Sequence, residues 1–343
     1  MNETNKDKHS ALALVSGGLD SQLAAKLIHD QGVEVTGVNF KTGFTSEGDA
    51  KLFTQIEKDI GVEIRTLPVD EEKYLEIIKN PEHGYGSAMN PCLDCRILVL
   101  REAKRYMQEV SADFVVTGEV LGQRPMTQRK DTLNLIKRES ELGEKLLRPL
   151  SAKVMDPTLP EKKGWINREE LLDLSGRSRK KQLELAERYG INHYSQPAGG
   201  CLLTEPEFGH RIKEVFDHRG RRRTTLEDLK LLKYGRHFRL PDGSKAVIGR
   251  NEEENEKLKT FVDGESWHLE LDGVLGPSTI IKGEASEKEL VLAARLTARY
   301  SQGRDRDAVD AVIVKNGEKE RCKVEPINRD SGLIDELMIE WTN

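Results

Sequence analysis

The stretch from Ala11 to Ser21, ALALVSGGLDS, limits the fold more than any other feature of this chain. Residues 11–15 are an apolar run too short for a helix and cut off at once by Ser-Gly-Gly, the mark of a buried strand. From Gln22, apolar residues at Leu23, Ala24, Leu27 and Ile28 recur at helical spacing, and Gly32 stops them. Residues 33–40 read as a second strand. A strand, a loop, a helix and a strand in about thirty residues imply a parallel sheet. The alternation continues: the pattern predicts helices over 48–60, 70–79 and 93–109, and strands over 62–68 and 113–117. The fold class is therefore α/β, a doubly wound parallel sheet, in which ligands bind beyond the carboxyl ends of the strands.

The loop after the first strand is Ser16-Gly17-Gly18-Leu19-Asp20-Ser21. Two glycines let backbone amides approach an oxyanion, two serines add hydroxyl donors, and the helix starting near Asp20 aims its positive end at the same point. This composition suits a phosphate cradle, with Mg²⁺ bridging Asp20 to the phosphates. It lacks the lysine of GxxxxGK[ST] and the spacing of GxGxxG. A tight turn capped by serine and aspartate is the plainer alternative.

Cys92 and Cys95, in Asn90-Pro91-Cys92-Leu93-Asp94-Cys95, open the long helix, where both sulfurs can face one point. A helix start also lowers thiol pKa. Cys201 follows Pro197-Ala198-Gly199-Gly200, and Cys322 lies in a hairpin-like stretch far downstream. Three readings fit this CxxC-plus-one pattern: a zinc knuckle, a disulfide-forming pair of Cys95 and Cys201, and a [4Fe–4S] cluster on Cys92, Cys95 and Cys201. A cluster held by three thiolates leaves one iron open for chemistry. Cys322 reads as a plain strand residue.

Composition narrows the setting. Four cysteines in 343 residues are too few for a secreted disulfide scaffold and point to the reducing cytoplasm. No apolar run approaches the ~20 residues of a membrane helix, so no membrane partner is expected. The net charge of −5 argues against RNA binding by bulk charge. Local basic groups remain: Arg124 after the fourth strand, Arg177 and Arg179 in Gly-Arg-Ser-Arg-Lys-Lys at a helix start, and Arg221, Arg222 and Arg223 in a helical linker over 206–235. Such groups can grip RNA or nucleotide phosphates, or simply be solvated.

The chain changes character near residue 236, which divides it into an ATP-binding domain over 1–205, the linker, and an α+β domain over 236–343. The last part carries 17 Lys and Arg against 22 Asp and Glu. Arg236–Leu240 and Ser244–Ile248 predict a hairpin around Pro241-Asp242-Gly243. An acidic helix follows Asn251, then come strands at 267–271 and 279–281, a helix over 286–300, and strands at 310–314 and 321–324 bracketing an Asn316-Gly317 turn.

SGGLDS resembles the SGGxDS signature of the PP-loop ATP pyrophosphatases, and the resemblance extends over residues 10–205. It implies cleavage of ATP between its α and β phosphates and adenylation of a substrate. NPCLDC and PAGGCLLT resemble the tRNA-thiolating branch: Cys95 and Cys201 match its two catalytic cysteines, and Cys92 stands where its 2-thiouridine synthases carry aspartate. Phe40 takes the place of an adenine contact. Gly118, in Thr117-Gly118-Glu119, matches the ATP-contacting glycine of TGH, with glutamate in place of histidine. Leu147-Arg148-Pro149-Leu150 resembles the RPL segment of the 4-thiouridine branch. In the last domain, Gly249-Arg250-Asn251 with Asn255, then Trp267-His268 and Gly276-Pro277-Ser278, resembles the RNA-binding module of the NFACT proteins. That likeness implies RNA contacts at Arg250, Asn251 and Trp267, the alternative being a packing or homodimerisation domain.

Together these readings lead to an ATP-dependent tRNA uridine thiolase. ATP is expected on Ser16, Gly17, Gly18, Leu19, Asp20, Ser21, Phe40 and Gly118, and the chemistry on Asp20, Cys92, Cys95 and Cys201. Its cofactors would be Mg²⁺ and a [4Fe–4S] cluster, and its partners tRNA and a sulfide or persulfide donor. A cluster-free persulfide thiolase, a PP-loop amidase of small molecules and an RNA-binding adaptor with an inactive loop are the alternatives.

Overall fold

The computed structural model describes residues 8–45, 50–195 and 200–339, so the Ser-Glu-Gly-Asp segment, the first part of Pro197-Ala198-Gly199-Gly200-Cys201 and both extreme termini lie outside the described residues. The chain divides into two compact units at Glu205/Pro206.

In the first unit, β1 (Ser10–Leu14), α1 (Leu19–His29), β2 (Glu34–Lys41), α2 (Ala50–Ile60), β3 (Ile64–Pro68), α3 (Glu71–Lys79), α4 (Cys92–Glu109), β4 (Phe114–Thr117), α5 (Lys130–Glu139), β5 (Leu146–Leu147), α6 (Leu159–Lys162) and α7 (Lys180–Tyr189) follow in order. The strands form one parallel sheet in the order β3-β2-β1-β4-β5. Leu12 faces one core with Val38, Leu100 and Val115, while Ala11 and Ala13 face another with Leu23, Phe114 and Val116. A strand covered on both faces must be apolar at every position, which is why 11–15 is an unbroken run. The chain reverses direction of growth between β1 and β4, and this is where a parallel sheet opens a crevice for a ligand. The loops after β1 and β4 flank that crevice.

The second unit holds α8 (Pro206–Arg219), α9 (Leu226–Leu231), β6 (Arg236–Arg239), β7 (Lys245–Ile248), α10 (Glu252–Lys259), β8 (Trp267–Asp272), β9 (Thr279–Lys282), α11 (Glu287–Arg299), β10 (Val309–Lys315), β11 (Glu318–Val324) and α12 (Leu333–Leu337). Its six strands run antiparallel in the order β11-β10-β8-β9-β7-β6. Leu290, Ala293, Ala294 and Leu296 of α11 share a core with Leu269, Ile281 and Ile313 of the sheet.

One boundary reads differently in the structure. Residues 206–235 are not a free linker but part of the second unit. Glu214 of α8 is ion-paired to Arg239 of β6 and, at 2.9 Å, to Lys245 of β7. Lys245 is buried; that burial pulls its ammonium down to about 8, and Glu214 opposes the shift.

Candidate active site

Gly17 adopts φ +87°, a conformation that strains residues with a Cβ, and Gly18 caps α1 in extended backbone. Ser21 donates to Gly18 O at 2.7 Å and accepts from the Ser16 amide at 3.2 Å, so the loop is closed on its own side chains. Ser16 is exposed at the crevice. Leu19 is fully buried in the core beneath, which leaves only its backbone for a ligand. Gln22, also fully buried, clamps the loop by donating to Gly17 O and to His193 O. Ser195 pairs with Gly18 like a strand neighbour.

Gly118 must be glycine for a geometric reason. A Cβ there would stand 2.5 Å from the backbone of Asp20 and Ser21. The chain leaving β4 thus lies directly on the start of α1. Phe40, at the end of β2, is half-buried against the core around Leu100.

Asp20 is held from two sides. Gln123 donates to its Oδ2 at 2.6 Å, and Gln182 of α7 donates to Gln123 Oε1 at 3.0 Å. Arg179 Nη2 stands 3.8 Å from Oδ1. That Oδ1, Arg179 Nε and Gln182 Oε1 are buried without hydrogen-bond partners. Buried polar atoms left unpaired are unfavourable unless a ligand completes them. The donor set, a carboxylate oxygen at a helix N-terminus beside a phosphate-shaped loop, fits Mg²⁺ with a nucleotide.

The segment Gly176–Arg179 accounts for this arrangement. The helix predicted from Gly176 starts only at Lys180, and Ser175 and Gly176 instead run beside Leu121. That pairing carries Arg179 and Gln182 to the crevice. Arg179, expected with Arg177 in an RNA-binding cluster, therefore faces the loop. Arg177 and Arg124 are exposed.

Cys92, Cys95 and Cys201 lie close enough to act on one another electrostatically. Cys92 and Cys95 lie on the first turn of α4, and Cys201 pairs with Thr45 just past β2. Cys95 lies 4.0 Å from the hydroxyl of buried Tyr74, whose ring is tilted against Phe44 at 6.0 Å. Asn90 donates to Cys92 Sγ at 3.0 Å. Cys95 is not acidic, which corrects the expectation drawn for it from the helix start. Burial pushes Cys95 up to about 12, and neighbouring Cys201 and Cys92 add to the rise. Cys201 is likewise raised, by burial first. Desolvation and mutual repulsion outweigh the helix terminus.

These thiols can ionise together only if cations neutralise them, which fits a metal group. Their Sγ atoms do not all lie within 4.8 Å of one another. Cys322 sits on β11 in the second unit, half-buried against that core.

A buried ion group joins the two sites. Glu119 is bonded to Arg96 at 2.8 Å, to Arg148 at 2.7 Å and to Thr117 Oγ1 at 3.1 Å. Burial alone would raise its carboxyl, but the two guanidinium groups win and hold it at about 2. Arg96 follows Cys95, and Glu119 follows Gly118. The glutamate that departs from TGH is thus the centre of a buried triad. The sequence exposed Arg148 and Glu119 but could not pair them; Gln123 and Gln182 carried no signal at all beyond being polar near a strand end and in a helix.

In the second unit the motif residues are engaged locally. Asn251 caps α10 by accepting from Glu254 N, and Arg250 Nε bonds Glu254 at 2.8 Å. Asn255 accepts from Ser278 N at 3.0 Å, and a Cβ on Gly249 would stand 2.1 Å from that Asn255 oxygen. Trp267 is half-buried with Lys315 Nζ 4.9 Å over its ring. Arg221, Arg222 and Arg223 are exposed after α8, Arg221 stacking on Phe216.

Comparison with known proteins gives two matches. Residues 7–155 match the family described as thiamine biosynthesis protein (ThiI), and residues 235–333 match the NFACT protein RNA binding domain. A probable tRNA sulfurtransferase of Thermococcus kodakarensis is 30% identical over 141 residues, which are 40% of this chain and 36% of that protein. A tRNA-specific 2-thiouridylase of Desulfosudis oleivorans is 36% identical over 110 residues, 31% of this chain and 30% of its own. The chain thus spans about a third of the length of these relatives. Among solved structures, the U34-tRNA thiolase of Methanococcus maripaludis with its [4Fe-4S] cluster shares 15% identity at a TM-score of 0.36, over 66% of this chain and 71% of that one. The chain therefore joins a segment similar to the tRNA sulfurtransferases to a segment similar to the NFACT RNA-binding domain.

Proposed function

We propose that this protein is an ATP-dependent tRNA sulfurtransferase that converts a uridine carbonyl to a thiocarbonyl. The observation that carries the proposal is a contiguous path between two sites: Cys95 and Arg96 on α4, Glu119 and Gly118 after β4, and the backbone of Asp20 and Ser21. This path supports the reading by linking the loop at 16–21 and the turn that carries Cys92 and Cys95 through one ion group in one unit.

In this reading, the amides and hydroxyls of residues 16–21 bind the ATP phosphates, and Asp20 with Mg²⁺ offsets charge on the departing pyrophosphate. The uracil oxygen attacks the α-phosphorus, and pyrophosphate leaves. A sulfide then adds to the activated carbon, and AMP leaves with the oxygen. Cys92, Cys95 and Cys201 would hold a [4Fe–4S] cluster, which when bound supplies an iron free of cysteine to carry that sulfide. The cysteines' part is to give up their protons on metal loading and to keep the site dry against Tyr74. The alternative, a persulfide passed between Cys95 and Cys201, requires only two of the three thiols.

The basic segment at 219–223 and the NFACT-like segment are proposed to hold the tRNA. Arg250 and Asn251 would act there through the shape of their turn, since both side chains are engaged locally, and Trp267 through its partly covered ring. Mass spectrometry of tRNA nucleosides from a deletion strain tests the proposal. Loss of one thiouridine supports it; an unchanged nucleoside profile rejects it.

A further inference from the structure

A second constellation lies on the other side of the α4 first turn. Asp94, between the two cysteines of the CxxC, is buried. It accepts from Glu82 N at 3.1 Å, from His83 N at 3.2 Å and lies 3.1 Å from His83 Nδ1. A carboxylate that accepts a hydrogen bond from Nδ1–H orients the imidazole and turns Nε2 toward a cation.

That Nε2 stands 3.4 Å from Glu139 Oε2, at the end of α5, as a close approach rather than an aligned hydrogen bond. Glu82, exposed beside it, brings a third ligand atom, so that all three lie within 4.8 Å of one another. Ligands at about 2.1 Å from a tetrahedral ion are ~3.4 Å apart along an edge, which is the spacing of Nε2 and Oε2. Of the neighbouring charges, Arg138 Nη2 lies 3.3 Å from the other oxygen, Oε1, and leaves Oε2 available. A histidine oriented by a buried carboxylate and facing two further carboxylates is the donor set of a divalent first-row cation.

We propose that His83, Glu139 and Glu82 bind a divalent cation, Zn²⁺ by their chemistry, with Asp94 as the positioning residue and a fourth position open to water. The site is independent of the sulfurtransferase reading, because none of its ligands belongs to the loop or the cysteine group. It ties the loop at 81–83 and the end of α5 to the turn that carries Cys92 and Cys95.

Cobalt(II) titration of the full-length protein tests this, since thiolate ligation gives intense charge-transfer bands and nitrogen–oxygen ligation gives only weak visible bands. Beyond any Co²⁺ taken up by the three cysteines with charge-transfer bands, one further Co²⁺ per chain that adds only weak visible bands is expected, displaced by Zn²⁺. His83→Gln and Glu139→Gln should weaken that binding by at least about tenfold, and Asp94→Asn by about 10–100-fold. Glu82→Gln changes only an exposed side chain and keeps the test decisive if a buried variant fails to fold. Binding with thiolate bands alone, or Co²⁺ affinity unchanged in Glu82→Gln and in whichever of the others folds, overturns the proposal.

Discussion

Single residues carry the sharpest consequences around Asp20 and Glu119. Asp20→Ala removes the carboxylate that Gln123 and Arg179 hold at the loop. Pyrophosphate release with tRNA and ATP is expected to fall by at least about 10²-fold, the scale of losing one preorganised charge, with the melting temperature little changed. Undiminished release would remove Asp20 from the proposed chemistry. Glu119→Gln is expected to cost about 3–5 kcal/mol in urea unfolding, because it leaves Arg148 buried without its counter-charge. The pH dependence has a definite sign. The Glu119 carboxyl sits at about 2 when folded against an ordinary 4.5. Its stabilisation is present above about pH 4.5 and is lost as pH falls toward 2, so acid unfolding between these values should be steeper in the parent than in Glu119→Gln. Gly118→Ala should cost about 3 kcal/mol or more, since the new Cβ would meet backbone rather than a movable side chain. Gly118 was legible as a motif residue in the sequence, whereas the reason for it, the crossing of two chain segments 98 positions apart, was not.

At the scale of elements, α4 decides how the cysteines behave. Its first turn carries Cys92 and Cys95 near Cys201, while burial and repulsion favour the protonated thiols of Cys95 and Cys201. Metal loading must therefore release protons, and at fixed iron and sulfide the bound iron should increase as pH is raised. In anaerobically prepared protein, Cys92→Ala, Cys95→Ala and Cys201→Ala should each lose most of the iron and the thiolation rate, and Cys322→Ala neither. Full thiolation by iron-free Cys92→Ala protein would favour the persulfide route instead. The helix starting at Cys92 was readable from periodicity and the preceding proline. The thiol pKa was not, because a helix N-terminus and burial act in opposite directions and only packing reveals which is larger. The GRN motif teaches the reverse: Arg250, Asn251 and Asn255 read as ligand groups, and the structure spends them on a cap, an ion pair and a turn.

For the whole molecule, the division at Glu205/Pro206 predicts what truncation should do. A chain ending at residue 205 should retain ATP binding and lose most tRNA affinity, measured by nucleotide titration and filter binding. A cut at residue 235 should be worse behaved, because it strands α8 without Arg239 and Lys245, the partners of Glu214. Equal tRNA affinity in the 1–205 chain and the full protein would assign the second unit another task. The sequence by itself determined the parallel sheet, the loop at 16–21 and the antiparallel character of the second half. Each of these is written in local periodicity, glycine placement or short spacing, which act within a few residues. Tertiary structure alone decided that Arg179 faces Asp20, that Arg96 and Arg148 share the buried Glu119, that Cys95 and Cys201 are hard to ionise, and that His83 meets Glu139. Those outcomes depend on which distant segments the sheet order brings together and on how far water is excluded there, and neither quantity is encoded within any one stretch of the chain.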